Sequence, residues 1–330
     1  MQRIGVGFTG LQPREVVECV QLAEELGYES AWMSEGHGGD QFSILTACAV
    51  ATKRILLGTS ISSVYVRSAP TIAMAAACVD EFSGGRFILG LGSSHKVQVE
   101  GEHGLTYGQP IPRLRECVDI VRALLRDGEA SYKGSIFNIK GFDMWFRPLR
   151  KEIPIYLAAV NPKMLQVCGE IAQGALLTWA TVEHARDAVE NVKLGAQEAG
   201  RDPQEVDMAT LIGCTISADK EEALNQMRKP IATYVAHFPR YRKLMAKAGF
   251  ADEVEAVRQA WQEGDQARAL DLVPIELIEK VSLAGTPEEC QQRIAQYRDV
   301  GIDLPIVTPR VFGPNAKKEN IEVIRACAPI

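Results

Sequence analysis

The sequence lacks the patterns that mark membrane, disulfide-bonded and metal-binding proteins. In its 330 residues no window approaches 18 consecutive apolar residues, the length that a membrane-spanning helix requires. The eight cysteines are scattered through helix-like and strand-like segments, and no C-x-x-C pair occurs. Only five histidines are present, and none forms an H-x-H pair. We therefore expect reduced thiols in the protein core and no bound metal.

The motifs of nucleotide-dependent and hydrolytic enzymes are also missing. There is no P-loop, H-E-x-x-H or G-x-S-x-G motif. The string GLGSSH at 90–95 lacks the third glycine of a Rossmann site and does not open a helix. The net charge of -6 offers no basic surface for nucleic acid or an anionic membrane, and we expect neither partner. The N-terminal residues show no signal-peptide pattern, so we expect a cytoplasmic protein.

What the sequence does contain is a regular alternation of strand-like and helix-like segments. Apolar residues make up 46% of the chain and charged residues 24%, as in an ordinary soluble globular protein. Eight strand-like segments occupy residues 3–9, 30–34, 55–61, 86–92, 153–159, 175–180, 208–217 and 303–309. Short connections between strands and helices favour a parallel sheet. The pattern predicts one α/β domain over residues 1–330, a (β/α)8 TIM barrel.

Three stretches depart from this alternation. A long connection covers residues 93–112, and loops of this length in compact domains are usually functional. Residues 131–142 have the pattern of a small hairpin with a turn near Gly134. From about residue 219 to 280 the pattern is helical throughout and rich in charge. We interpret this last stretch as a helical insertion that packs against the barrel.

One stretch, residues 81–95, combines the end of a helix, a turn and a buried strand. The helix-like run 70–82 begins at Pro70, which suits a first helical turn, and Gly84 can adopt the positive φ that closes a helix. The following strand shows almost no polar alternation, as expected of a parallel strand that is covered on both faces. Ser93, Ser94 and His95 follow it. In a parallel α/β fold this edge is the ligand side.

The same rule selects candidate site residues after the other strands. A single serine or threonine among them can also be an ordinary loop residue. The candidates are Phe8, Thr9, Glu35, His37, Ser60, Ile61, Ser62, Gly92, Ser93, Ser94, His95, Ala158, Ala159, Asn161, Pro162, Lys163, Thr178 and Trp179.

Two runs of this sequence resemble the signature of the bacterial luciferase-like superfamily, namely GTSISSVYVRSAP at 58–70 and SGGRFILGLGSS at 83–94. The similarity extends through YLAAVNPKML at 156–165 and SLAGTPEEC at 282–290. Within the superfamily the chain is most similar to the deazaflavin branch. That branch uses coenzyme F420 and includes methylenetetrahydromethanopterin reductases and F420-dependent glucose-6-phosphate dehydrogenases. The resemblance implies a TIM-barrel oxidoreductase that transfers a hydride between F420 and a small organic substrate.

The resemblance also implies roles for the candidates. In relatives the peptide bond equivalent to Ser60-Ile61 is a cis non-proline bulge that presses on the coenzyme ring. Glu35 and His37 lie where relatives carry an Asp-His pair, and either could exchange a proton with the substrate. Alternatively, Glu35 only orients its loop and His37 is solvated.

The remaining candidates are expected to contact the coenzyme. A cofactor phosphate needs backbone N–H donors or a cation near a helix start, and Asn161, Pro162 and Lys163 open a helix directly after a strand. In the family this loop approaches the phosphate through its backbone, with Thr178 and Trp179 nearby. Lys163 could equally be a solvent-facing lysine of a first helical turn.

Three other functions fit parts of the sequence. An FMN-dependent monooxygenase of the same fold would activate oxygen at the flavin, and the sequence does not separate the two cofactors cleanly. A flavin-binding barrel without turnover would bind cofactor and show no substrate-dependent redox change. A lyase or hydrolase barrel would be expected to show a lysine on a barrel strand or clustered metal ligands, and neither is evident. The resemblance further implies a homodimer packed through barrel helices, with a small-molecule substrate.

Overall fold

The computed structural model describes residues 2–311 and 313–329. The strands in chain order are β1 (Gly5–Phe8), β2 (Ser30–Met33), β3 (Leu56–Thr59), β4 (Ser62–Ser63), β5 (Phe87–Gly92), β6 (Glu129–Lys133), β7 (Asn138–Asp143), β8 (Ile155–Ala158), β9 (Gly174–Thr178), β10 (Asp207–Ile216), β11 (Ser282–Gly285) and β12 (Leu304–Pro309). The helices are α1 (Pro13–Glu25), α2 (Gln41–Ala51), α3 (Ala69–Ser83), α4 (Pro110–Asp127), α5 (Pro162–Ile171), α6 (Val182–Glu198), α7 (Lys220–His237), α8 (Pro239–Met245), α9 (Ala251–Gln262), α10 (Gln266–Asp271), α11 (Ile275–Val281), α12 (Pro287–Asp299) and α13 (Ala316–Ala326).

Eight parallel strands close into a barrel in the order β1-β2-β3-β5-β8-β9-β10-β12. Pairing of Gly5 with Ile306 joins the first strand to the last, so these eight strands leave no open edge. The short strands β4 and β11 extend the sheet beside β5 and β10, and β6 and β7 form a separate antiparallel hairpin. The eight predicted strands, the hairpin and the TIM-barrel fold are confirmed.

The barrel buries two layers of side chains, one inside the strands and one between strands and helices. Trp32, Tyr156 and Leu176 belong to the inner cluster, which fills the barrel interior up to the cavity described below. Alternate residues such as Val6 face the larger outer cluster beneath the helices. Because the interior is packed, a ligand has room only at one end of the barrel.

Local sequence determines where helix α3 begins and ends. The Ser68 side chain accepts a hydrogen bond from the backbone N–H of Thr71 and caps the start of α3. The helix ends at Gly84, whose φ of 67° is left-handed. The observed helix, Ala69–Ser83, is one residue longer at each end than the predicted run 70–82. The strand β5 then delivers Ser93 to the ligand end of the barrel.

Helices α7 to α11 occupy the stretch predicted to be a helical insertion. They form a hydrophobic cluster of their own, which includes Met227, Ile231 and Val257. The long predicted connection contains one turn of π-helix at Gln98–Glu102, and α4 already begins at Pro110. Among the described residues, none of the helices has both the length and the apolar character that spanning a membrane requires.

Candidate functional site

A cavity of about 520 Å³ opens at the carboxyl ends of the barrel strands. The loops after β3, β5 and β8 and the strand β9 itself line it from the barrel, and α8 of the insertion covers one side. Its lining residues are Ile61, Ser93, Ser94, His95, Pro110, Ile111, Ala158, Ala159, Val160, Asn161, Pro162, Lys163, Met164, Leu176, Thr178, Arg240 and Tyr241. The size and the largely apolar lining are those of a small-molecule site.

The structure brings most of the predicted coenzyme-binding residues together in this cavity. They come from four strand ends that are far apart in sequence. The predicted residues that line it are Ile61, Ser93, Ser94, His95, Ala158, Ala159, Asn161, Pro162, Lys163 and Thr178.

The side chains of two predicted coenzyme contacts, Phe8 and Trp179, lie away from the cavity. On β1 the alternation directs Gly7 toward Thr308 inside the barrel, so the buried Phe8 side chain packs in the outer core beneath the helices. The ring of Trp179 lies in the core of the insertion, 4.8 Å from the ring of Tyr234. Neither aromatic ring lines the cavity, because the strand period and the inserted helices turn both away from it.

Four other candidates lie outside the cavity lining. The Thr9 hydroxyl lies 3.4 Å from the carbonyl oxygen of Pro309, and the hydroxyls of Ser60 and Ser34 are 3.4 Å apart. Ser62 lies on the short strand β4 beside the end of β5. A Cβ at Gly92 would lie 2.7 Å from the Ile61 Cγ1, so a side chain there would displace Ile61. Of the four, Gly92 therefore bears directly on the shape of the cavity.

The peptide bond between Ser60 and Ile61 is cis, as the resemblance implies. Ile61 lines the cavity, while Ser60 lies outside its lining. The predicted position of the bulge, directly after β3, is therefore confirmed. Its contact with a coenzyme ring stays a prediction.

Glu35 is held by other protein groups. Its carboxylate pairs with the Arg67 guanidinium and accepts a hydrogen bond from the Ser63 backbone N–H at 2.8 Å. The Ser62 hydroxyl lies 3.4 Å from the same carboxylate. Glu35 does not line the cavity. Its fixed position matches the alternative in which it orients the loop, here by tying β2 to the segment after Ile61.

His37 lies on the surface. Its side chain is 82% exposed, and its Nε2 lies 3.1 Å from the Glu102 carboxylate. The structure therefore places neither Glu35 nor His37 where a substrate in the cavity could reach it. The glycines on either side of His37 leave the loop free to carry this side chain outward.

His95 lines the cavity, whereas Glu35 and His37, the residues predicted to transfer a proton, do not. Its ring packs 4.2 Å from the ring of Phe238 and 5.4 Å from the ring of Tyr241. Burial, together with the positive charge of Arg240, lowers the pKa of His95 to about 4. The imidazole is neutral at neutral pH, and it can donate a hydrogen bond from one nitrogen and accept a hydrogen bond or a proton at the other.

Arg240 was missed by the sequence analysis. It lies at the start of α8, and one of its Nη atoms donates a hydrogen bond to the Ser93 hydroxyl at 3.2 Å. The other Nη atom contacts the Tyr107 hydroxyl. Nothing in the helical pattern of the insertion marks Arg240, because the contact joins residues 147 positions apart.

The charged groups of the cavity have one sign. Arg240 and Lys163 line it, and none of the lining residues is Asp or Glu. Asn161 and Lys163 stand at the N-terminal end of α5, where the helix presents free backbone N–H groups. Two cations, a helix start and a largely apolar interior fit a flat aromatic molecule that carries an anionic group.

Comparisons with known proteins agree with this geometry. The family model described as luciferase-like monooxygenase matches residues 2–304. A 5,10-methylenetetrahydromethanopterin reductase of Archaeoglobus fulgidus is 31% identical over 94% of this chain and 93% of its own length. A putative coenzyme F420-dependent oxidoreductase of Mycobacterium tuberculosis is 28% identical over 92% of this chain and 93% of its own length.

Among solved structures, the coenzyme F420-dependent tetrahydromethanopterin reductase of Methanopyrus kandleri superposes with a TM-score of 0.88. It is 27% identical, and the match covers 99% of this chain and 98% of that one. The fold, the family model and these relatives agree over nearly the whole chain. The chain therefore belongs to the luciferase-like monooxygenase family, and its relatives include F420-dependent reductases.

Proposed function

We propose that this protein is an oxidoreductase that uses coenzyme F420 to move a hydride to or from a small organic substrate. The observation that carries the proposal is the cavity itself, which has an apolar interior, two cations and no carboxylate among its lining residues. The coenzyme, when bound, supplies a ring carbon that gives or accepts the hydride. The relatives named as F420-dependent enzymes support the choice of coenzyme.

The residues present fit such a coenzyme. Ile61, Ala158 and Leu176 offer an apolar floor on which a flat ring system can rest. Asn161 and Lys163, at the start of α5, would hold the phosphate through backbone N–H groups and one cation. In this assignment the chain orients the ring and excludes water from it.

Hydride transfer to a carbonyl or imine also requires a proton, and hydride removal from an alcohol releases one. The neutral imidazole of His95 lies in the cavity and packs against Phe238. We assign it two roles: it accepts the proton that an alcohol releases on hydride removal, and in the direction of reduction it donates a hydrogen bond to the substrate while the proton comes from solvent. Glu35 instead holds the segment after Ile61 in place through Ser63 and Arg67.

Equilibrium binding of coenzyme F420 and of FMN to the purified protein tests this function. We expect tight binding of F420, weak binding of FMN, and oxidation of reduced F420 when a suitable carbonyl or imine substrate is added. A preference for FMN with oxygen consumption would support the monooxygenase alternative. Bound F420 without turnover on any substrate of a broad panel would support a non-catalytic binding protein.

We also propose that the protein acts in the cytoplasm as a homodimer. Eight free cysteines, seven of them buried, suit a reducing compartment. The homodimer follows from the resemblance to dimeric relatives. Sedimentation equilibrium of the purified protein would give the mass of a single chain if this proposal is wrong.

A further inference from the structure

We infer that Arg240 binds an anionic group of the substrate, a carboxylate or a phosphate, beside the reacting ring. This inference rests on the proposed function and names a chemical class for the substrate. It assigns a binding residue within the helical insertion, outside the eight strands and the loops that directly follow them.

The contacts of Arg240 leave its charge without a counter-ion. Its hydrogen-bond partners are the hydroxyls of Ser93 and Tyr107, and its guanidinium carbon lies 5.6 Å from the centre of the Tyr107 ring. Within residues 2–311 and 313–329 it forms no ion pair. A guanidinium has five N–H donors, and these two hydrogen bonds leave several of them available. Partly buried cations usually have an anionic partner, and here a ligand can supply it.

Arg240 borders two cavities, and the one that also contains Ser93 and Lys163 favours an anion. The neighbouring cavity contains Glu183, Asp187, Glu190, Lys243 and Lys247. The chain as a whole has 42 acidic and 36 basic residues, yet the cavity that contains Ser93 is lined by Arg240 and Lys163 and by no acidic side chain. His95 is neutral and adds no charge of either sign to the cavity. An apolar interior also weakens the screening of the two cations by water. The two cations therefore stabilise a negatively charged molecule in this cavity.

The position of Arg240 favours the substrate over the coenzyme as the source of the anion. Its partner Ser93 directly follows Gly92, whose backbone lies against Ile61 at the cavity floor. The group held by Arg240 is therefore close to the place assigned to the ring. The coenzyme phosphate is assigned to the start of α5, at Lys163. Two cations on separate elements suit two separate anionic groups.

The fold also fixes the direction of the Arg240 side chain before any ligand arrives. The rings of Tyr107 and Tyr65 stack with their centres 4.7 Å apart. The Tyr65 hydroxyl in turn donates a hydrogen bond to the Gly108 carbonyl at 2.6 Å. The long loop and the insertion thus meet at Arg240. A preset side chain loses less conformational entropy when it binds an anion, and this favours selective recognition.

The protein in complex with oxidised F420 provides the test, with inorganic phosphate and acetate as probes. Each anion is titrated while the fluorescence of the bound coenzyme and the heat of binding are followed. We expect Arg240→Gln to raise the Kd of both anions at least tenfold. The control is Lys243→Gln, which removes one positive charge from an exposed position on the same helix and outside this cavity. We expect it to change either Kd less than twofold.

The inference would be overturned if the wild type and Arg240→Gln bound the anions with equal affinity. It would also be overturned if Arg240→Gln and Lys243→Gln lost the same amount of anion affinity. If Arg240→Gln does not fold, Arg240→Lys replaces it, since lysine keeps the charge and loses the planar fork. We then expect the Kd values to rise three- to tenfold, and unchanged values would again contradict the assignment.

A second titration separates the substrate from the coenzyme as the source of the anion. F420 and the phosphate-free ribityl form of the same deazaflavin are each bound to the wild type and to Arg240→Gln. We expect the substitution to change both affinities less than threefold. A tenfold loss for F420 alone would assign Arg240 to the coenzyme and overturn the inference. Failure of the wild type to bind F420 would instead reject the proposed function, and the anion titration could still be read on the free protein.

Discussion

Burial sets the protonation state of His95. Its imidazole packs between Phe238 and Tyr241, and removal from water together with the Arg240 charge lowers its pKa to about 4. A neutral imidazole in this cavity can accept a proton from an alcohol substrate and can donate a hydrogen bond to a carbonyl oxygen across the physiological pH range. Glu35 cannot do so from its observed position, because Arg67 and the Ser63 backbone N–H occupy its carboxylate.

We expect His95→Gln to lower turnover with reduced F420 by about 100-fold, the lower end of what general acid–base catalysis contributes. The Kd of F420 should change less than threefold. As a control, His103→Gln makes the same change at an exposed position in the long loop and should leave turnover unaltered. A loss of coenzyme affinity equal to the loss of turnover would assign His95 to binding and reject its role in proton transfer.

The same pKa makes a prediction about stability. The unfolded chain has a histidine pKa near 6.5, so between pH 6.5 and 4 the unfolded state binds more protons at His95 than the folded state. The free energy of unfolding should therefore fall as the pH is lowered through this window. His95→Gln should make the midpoint of urea unfolding less sensitive to pH there, whereas His103→Gln should retain the wild-type sensitivity.

Glu35 belongs to the support of the site. Loss of its charge in Glu35→Gln leaves the part-buried Arg67 with Asp40 as its remaining carboxylate partner, and we expect a cost of about 2 kcal/mol in the free energy of unfolding. The segment after Ile61 should loosen, so the Kd of F420 should rise while the pH dependence of turnover stays that of the wild type. A shifted pH profile would instead restore Glu35 as a proton-transfer residue. Glu102→Gln, at the exposed partner of His37, serves as the control.

At the scale of secondary structure, the crossing of α5 and α6 holds one side of the cavity. A Cβ at Gly195 would lie 2.0 Å from the carbonyl oxygen of Gln166, and a Cβ at Gly169 would lie 2.0 Å from that of Val192. The two backbones can approach this closely only because both positions are glycine. Since α5 begins at the rim of the cavity, this contact also positions Lys163.

We expect Gly195→Ala to lower the free energy of unfolding by about 2 to 3 kcal/mol through overpacking. In an open helix the same substitution would be stabilising by about 1 kcal/mol, so a loss reports the helix contact. Displacement of α5 should also weaken F420 binding more than binding of the phosphate-free ribityl deazaflavin. Gly101→Ala, where a Cβ meets no atom within 4 Å, is the matched control for chemical denaturation. Equal stability of both variants would contradict this account.

The elements could be predicted from sequence far better than the site. Buried parallel strands, a helix ended by Gly84 and a hairpin near Gly134 are local patterns, and all of them are observed. The contact between Arg240 and Ser93 depends on how the insertion folds back over the barrel, which no local pattern reports. Period-two alternation on β1 could have excluded the Phe8 side chain, since it places residues of even number on the outer face.

At the scale of the whole molecule, the cavity lies between the barrel and the insertion, each of which has its own hydrophobic packing. The barrel residues that line it belong to the inner and outer clusters, whereas Tyr241 belongs to the separate cluster of the insertion. Arg240 and Ser93 connect the two across the opening. A ligand in the cavity contacts both parts, and this arrangement exists only in the folded chain. Binding should therefore stabilise the barrel and the insertion together.

We expect a concentration of F420 about 100 times its Kd to stabilise the folded state by about 2.7 kcal/mol. Unfolding entropy of about 2.1 cal/mol/K per residue over 330 residues converts this into a rise in Tm of about 4 °C. Differential scanning calorimetry should show one transition that moves as a whole, and an equal concentration of FMN should move it less. A second transition that stays in place when F420 is added would mean that the insertion unfolds without contributing to the site. Since Arg240 lies in the insertion, that result would also remove the basis for its contact with a bound ligand.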